Sequence, residues 1–175
     1  MGRTTVTKRK NTLPRVKAVA AAKSPLSLSV AWDDGTKSQV NLTGLVHSSR
    51  HFGVFAEDQA AFRRVRPVGY GSGIGWDNGL DYSAATLKTL AQQQQAVSGK
   101  LLAAFEAKHK LNTAETAALL HVAERTIRAY READALPEPI AIALRTLDSD
   151  ATVFAAHYRP IVRRERGRPR KLTPV

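Results

Sequence analysis

A chain of 175 residues has room for one ordinary domain or two small ones. It carries 27 Lys and Arg against 15 Asp and Glu, a formal net charge of +12, and no cysteine, which excludes disulfides and thiolate zinc sites. Hydrophobic content of 43% suits a folded core. No apolar run approaches the roughly 18 residues of a membrane span, and Met1 to Lys10 lacks the apolar stretch of a secretory signal. A cytoplasmic setting is therefore expected.

The position of the charge says more than its total. Residues 1–23 hold seven basic groups and no acidic one, and residues 151–175 hold seven basic and one acidic. Between them, 24–95 balance at six of each, and 96–150 hold seven basic against eight acidic. A near-neutral body thus carries a cationic tail at each end. Such tails attract polyanions. A solubilising terminus and a nucleic-acid arm both fit. An anionic membrane surface fits less well, because neither tail offers a large amphipathic apolar face.

In chain order, residues 26–42 read as a hairpin. Leu26, Leu28, Val30 and Trp32 alternate with Ser27, Ser29 and Ala31, the period of a strand with one buried face. Asp33-Asp34-Gly35-Thr36 is turn chemistry, and Val40 and Leu42 resume the rhythm. Leu45 to Phe55 suggests a short helical or irregular element. Ala60, Phe62, Val65 and Val68 suggest another extended piece, and Gly69 to Trp76 a glycine-rich hairpin strand. Asp77-Asn78-Gly79 is a second turn. From Asp81 to about Gln95 a helix is expected, with Ser83 suited to be its N-cap.

Several of these residues imitate reactive sites. The glycines at 69, 71, 73 and 75 alternate strictly and do not form G-x-G-x-x-G, so a close-packed hairpin is preferred to a nucleotide loop. Asp77 to Asp81 lacks calcium-loop spacing. His47 and His51 could share a helix face, but no Glu or third ligand accompanies them. No metal site, cofactor or catalytic residue is expected. A small enzyme using Asp77, Asp81 or His47 is the remaining catalytic class, and no constellation supports it.

The strings Leu26 to Leu42 with Trp32-Asp33-Asp34-Gly35, then Phe52, Phe55, Phe62, Val65 and Ile74-Gly75-Trp76-Asp77-Asn78-Gly79-Leu80-Asp81 resemble the bacterial domain-of-unknown-function family 2442 over about residues 16–90. The resemblance implies a small α+β domain without established catalysis. In some members it resembles half of a toxin–antitoxin pair, and in others a DNA-binding domain lies behind it.

Residues 99–147 are helical in composition. Leu101, Leu102, Phe105 and His109 place one helix over Lys100–Lys108. Asn112 or Thr113 can cap the next, Ala114–Leu120, with Glu115 in its first turn. His121-Val122-Ala123 is a break, Glu124–Ala133 a third helix, and Ile140–Leu147 a fourth, with Pro139 in a first-turn position. Thr113, Ala117, Val122, Ile127 and Tyr130 stand at the offsets of a helix pair joined by a tight turn. Leu111 to Tyr130 resembles the lambda-repressor-like helix-turn-helix family, except that His121 stands where the family usually has Gly. An ordinary dimerising bundle is the other reading of the same helices. The resemblance implies that Glu124–Ala133 enters the major groove. Arg125 and Arg128 would then reach guanine, Thr126 a thymine methyl or phosphate, and Thr113 the phosphate backbone. Glu124 could accept from cytosine or cap the helix.

Arg163 to Lys171 contains Arg-Gly-Arg-Pro and resembles an AT-hook. Gly167 would let the backbone press to the groove floor. Arg166 and Arg168 would lie along a narrow A·T minor groove, with Pro169 holding an extended path. Arg164, Arg170 and Lys171 would meet flanking phosphates, and Glu165 departs from the pattern.

The expected fold class is α+β: antiparallel hairpins plus a helix, then an all-α helix-turn-helix bundle. The expected segments are a basic arm at 1–15, an α+β domain at 16–95, a helix-turn-helix domain at 97–158 and an AT-hook-like tail at 159–175. The expected function is DNA-binding transcriptional regulation, as a homodimer on double-stranded DNA and associated with the nucleoid. The alternative is an antitoxin-like module that engages a toxin-like protein partner through the first domain.

Overall fold

The computed structural model describes residues 13–161, which divide into two compact units between Gln95 and Ala96. In the first unit, β1 (Val16–Ala21), β2 (Ser27–Trp32) and β3 (Lys37–Asn41) form an antiparallel sheet in the order β1-β2-β3. The alternation in β2 does what its period requires: Leu28, Val30 and Trp32 are buried, and Leu28 and Val30 pair with Val40 and Ser38 of β3. Asp34 closes the turn by accepting from the Thr36 N–H, and Lys88 sits over the Trp32 ring while pairing with Asp34. β1 lies within the stretch whose charge reads as a tail.

Three short helices come next: α1 (Thr43–Ser48), α2 (Val54–Glu57) and α3 (Gln59–Arg63). The extended piece expected from Ala60 begins instead as α3. Asp58 caps it by accepting from the Ala61 N–H at 2.8 Å, and Phe62 turns into the core. Because α1 ends at Ser48, His47 and His51 do not share a helix face, and both are exposed.

A second antiparallel sheet, ordered β4-β5-β6, comprises β4 (Arg66–Val68), β5 (Gly73–Gly75) and β6 (Asp81–Ser83). The glycine-rich strand is shorter than expected. Gly69, Tyr70 and Gly71 form a tight turn in which all three have left-handed φ, at 55°, 55° and 85°, and the Tyr70 side chain stands 98% exposed. Asp81 to Ser83 is strand rather than first helical turn. Ser83 then caps α4 (Ala84–Gln93) by accepting from the Thr86 N–H.

Phe52, Phe55, Phe62 and Trp76 pack edge-to-face or tilted at centroid distances of 4.9 to 6.2 Å, and the Trp76 indole donates to the Phe62 carbonyl. Aromatic pairs of this kind add roughly 0.5–1.5 kcal/mol each beyond area burial. Gln94 finishes the β3 edge. Its amide exchanges two hydrogen bonds with the Asn41 backbone, as a paired strand would.

The second unit is helical: α5 (Gly99–His109), α6 (Thr113–Leu119), α7 (Glu124–Arg131), α8 (Glu138–Ser149) and α9 (Ala151–His157). Leu102, Phe105, Ala117, Leu120, Ile127 and Leu144 are among its buried residues. Pro139 lies in the first turn of α8 as expected. Leu101, expected on the apolar face of α5, is 44% exposed. α9 is not among the helices expected from the sequence. Asp150 caps it through the Thr152 and Val153 N–H groups, and Phe154 stacks on His109 at 4.2 Å. No described helix is long and apolar enough to cross a membrane.

Candidate functional site

The helix pair α6–α7 holds most of the site residues expected from the sequence. α6 begins with a capping box: the Asn112 side chain accepts from the Glu115 N–H, and the Glu115 carboxylate accepts from the Asn112 N–H, both at 3.0 Å. It ends in a Schellman arrangement, with Val122 N–H on the Ala117 carbonyl, His121 N–H on the Ala118 carbonyl, and His121 itself at φ 54°. His121 thus adopts the left-handed conformation for which Gly is the usual residue, at an energetic cost.

α7 buries Ile127 completely and half-buries Thr126, Tyr130 and Arg131. Glu124, Arg125 and Arg128 are exposed, and their three- and four-residue spacing sets them on one stripe. Arg128 Nη2 donates to Glu124 Oε2 at 3.0 Å. Glu124 therefore does not cap the helix; Ala123 is the N-cap residue and provides no side-chain bond. Arg125 has no ion-pair partner among the described residues.

Two features fix the far end of α7. Arg131 lays its guanidinium against Glu106 of α5, with Nε to Oε2 and Nη2 to Oε1 both at 2.8 Å, and Nη2 also donates to Thr113 Oγ1 at 2.9 Å. The hydrogen bonds to Glu106 hold the Arg131 proton more firmly than usual. Gly99 permits the start of α5 to approach α7: a Cβ there would overlap the Tyr130 and Arg131 carbonyl oxygens. Thr113, expected to face phosphate, turns its hydroxyl to Arg131. The Glu106–Arg131 pair escapes sequence reading, because its members are 25 residues apart and leave no local pattern.

Glu115 is almost buried and joins α6 to the end of the described chain, its Oε1 accepting from the Tyr158 hydroxyl at 2.9 Å. The Asn112 N–H, then Tyr158, draw its carboxyl below the ordinary range, and the same contact raises the Tyr158 phenol. Arg164, Arg166, Gly167, Arg168, Pro169, Arg170 and Lys171 lie outside the described residues.

In the first unit, Asp77 forms ion pairs with Arg64 and Arg66, and hydrogen bonding from Arg66 holds its carboxyl low. Asp81 is an exposed strand residue and His47 an exposed residue near the end of α1. The structure does not bring these three into a described common site. Among the described residues, no three His, Asp or Glu side chains gather where they could hold a metal ion.

No protein-family model matches the chain, and no curated protein does. Among solved structures, it is similar to a crystal structure from Nitrosomonas europaea described as a "putative DNA binding protein". The identity is 21%, the match covers 78% of this chain and 87% of that one, and the TM-score is 0.43. The resemblances to family 2442 and to lambda-repressor-like domains rest on the residues quoted for them.

Proposed function

We propose that the second unit binds double-stranded DNA, with α7 in the major groove, and that the protein is a transcriptional regulator. The observation that carries this reading is the outward stripe of α7. Glu124, Arg125 and Arg128 stand exposed, immediately after a tight turn, on a helix whose inner side is anchored by Ile127 and Arg131. A rigid helix with exposed guanidinium forks suits base edges, where a bidentate contact to guanine is worth about 1–3 kcal/mol of discrimination. Thr126, half-buried beside them, suits a thymine methyl or a phosphate. Glu124 suits the cytosine amino group. Two copies would meet two half-sites about one DNA turn apart. The basic tails would supply phosphate contact and A·T-rich minor-groove contact.

Selection of bound sequences from a randomised duplex pool, followed by fluorescence anisotropy on the retained duplex and on an unrelated one, tests this reading. Arg125→Ala should cost about 1–3 kcal/mol on the retained duplex and much less on the unrelated one. Arg128→Ala is the less clean variant, because it also leaves Glu124 without its partner and facing the DNA. Equal losses on both duplexes would sink the base-reading role.

A further inference from the structure

Two exposed features of the first unit lie along β1. The first is the tight turn Gly69–Gly71. Tyr70 holds φ 55° and ψ 35°, a left-handed conformation costly for a residue with a Cβ, and its side chain is 98% exposed. The turn is nevertheless firmly held. Gly71 lies so close to β1 that a Cβ there would stand 2.5 Å from the Val16 carbonyl oxygen. The Ser72 N–H donates to the Gly69 carbonyl, and the Ser72 carbonyl accepts from the Ala84 N–H. Arg15 Nη1 donates to the Tyr70 carbonyl at 3.1 Å, and the Arg15 backbone is itself bonded to Asp33. A strained backbone, fixed from several sides, thus presents a large ring to solvent. Strain held in this way concentrates at sites of interaction.

The second feature is the outer face of the β1-β2-β3 sheet. Ala18, Ala20, Ser29, Ala31, Lys37 and Gln39 line a shallow recess of about 420 Å³ there. Register sets Ala18 beside Ala31 and Ala20 beside Ser29, so short side chains make the floor. Lys37 and Gln39 follow on β3, opposite Ala31 and Ser29. Lys37 is exposed and makes no ion pair among the described residues. A hollow of several hundred Å³ has room for an aromatic ring.

We propose that Tyr70 of one copy occupies this recess on a second copy, so that two first units pair about a two-fold axis through two identical contacts. A self-complementary surface of this kind needs a projection and a matching hollow on the same chain, and β1 carries both. The turn abuts Val16, and the recess runs over Ala18 to Ala20, roughly 7–13 Å farther along the strand. The chemistry matches as well. The alanine methyls offer the ring an apolar floor. The Lys37 ammonium would face the ring as Lys88 already faces Trp32 within the chain, 4.5 Å from its centroid. Ser29 or Gln39 would take the phenol hydroxyl. A ring already fixed on a rigid turn loses little freedom on docking.

The area sets the strength. A docked Tyr buries roughly 150–250 Å² and covers a similar area of its recess. Two such contacts fall short of the roughly 1,200 Å² of a standard stable interface, so the dimer is weak and forms in the micromolar range. The pairing would supply the two copies that two DNA half-sites require, but its test contains no DNA, so its failure and that of the DNA-binding reading are separate.

The test is sedimentation velocity of the full chain from about 1 to 100 μM, with nuclease treatment and about 0.5 M salt to remove bridging polyanions. A monomer–dimer equilibrium is expected. Tyr70→Asn removes the ring and tolerates the left-handed backbone, and Ala31→Arg fills the recess. Each should weaken association about tenfold or more, with circular dichroism confirming the fold. Mixing the two variants should recover part of the loss, because each mixed dimer keeps one intact ring and one open recess. A second measurement does not depend on weakened binding. The natural chain lacks cysteine, so Tyr70→Cys can carry a single benzophenone. Photo-crosslinking should join it to residues 18–20, 29–31 or 37–39 of the other copy. A monomer throughout this range overturns the proposal, as does a dimer that both variants leave intact. So does a mixture no better than its components, or a crosslink that falls elsewhere.

Discussion

Arg131 offers the sharpest test of how α7 is held. Its guanidinium makes three hydrogen bonds, two of them to Glu106, whose side chain is 9% exposed, against 30% for that of Arg131. Arg131→Leu keeps the apolar stem but leaves the Glu106 carboxylate without those donors. Breaking a fully buried pair costs about 3–5 kcal/mol. Water reaches nearly a third of Arg131, so the lower figure for hydrogen bonds to charged groups applies, and about 2–3 kcal/mol is expected. With a urea slope of about 1 kcal/mol/M for a unit this small, the midpoint should fall by roughly 2–3 M. Far-UV circular dichroism would follow it. Trp32 and Trp76 both lie in the core of the first unit, so tryptophan fluorescence gives a reference transition that should stay in place. Replacing both partners with Leu should restore most of the loss, because no buried charge is then left alone. A shift under about 0.5 M for Arg131→Leu, or a double variant no better than the single one, would refute this account.

His121→Gly should stabilise the second unit by about 1 kcal/mol, because it relieves the left-handed strain of the Schellman turn. An unchanged or lowered melting temperature would show that His121 gains more from its side chain than it loses in its backbone. Acid should destabilise the same unit by a predictable route. The folded-state pKa of Glu115 lies below its ordinary value of about 4.5, so its contribution is present above that pH and is lost as pH falls through the lowered value. Asp148, held low first by hydrogen bonding from Lys108, acts in the same direction. Glu115→Gln should therefore flatten the loss of melting temperature below about pH 4.5, and equal slopes in the two proteins would contradict it.

The parts of the fold legible in the sequence are those fixed by near neighbours. The β2–β3 hairpin follows from strict alternation and a turn of short polar residues. The α6–α7 pair follows from Ala117, Val122, Ile127 and Tyr130, all within one local unit, and the left-handed conformation at His121 follows from its place in that unit. β1 is hidden for two reasons. Half of its side chains are alanine, and an irregularity between Val16 and Ala18 breaks the alternation. α3 is ambiguous because Ala60, Phe62 and Val65 fit either period, and the deciding element is the Asp58 cap. Of the site, the outward stripe of α7 is legible. The groups that position it are not, since Glu106, Arg131 and Gly99 come together only through tertiary packing.

The ion pairs of the second unit also bear on how the proposed activity would divide. Lys108 is matched by Asp148, Arg131 by Glu106 and Arg128 by Glu124, while Arg125 stands apart on the α7 stripe. A domain neutralised in this way attracts phosphate weakly. If it met DNA alone, about two cations would release counterions, and log affinity would fall with log salt at a slope near −2. The Glu124–Arg128 pair is exposed, so parting it costs at most about 1 kcal/mol, and Arg128 can exchange a carboxylate for a guanine edge with little loss. Glu124 would then face the groove, where it would be repelled by phosphate and favoured only near a cytosine amino group. Such a helix would discriminate more than it attracts. Attraction would fall to the seven cations of residues 1–23 and the six of residues 162–175. On this division, salt would erode affinity through the arms while the choice of base, made by the geometry of two guanidinium groups on α7, would change little.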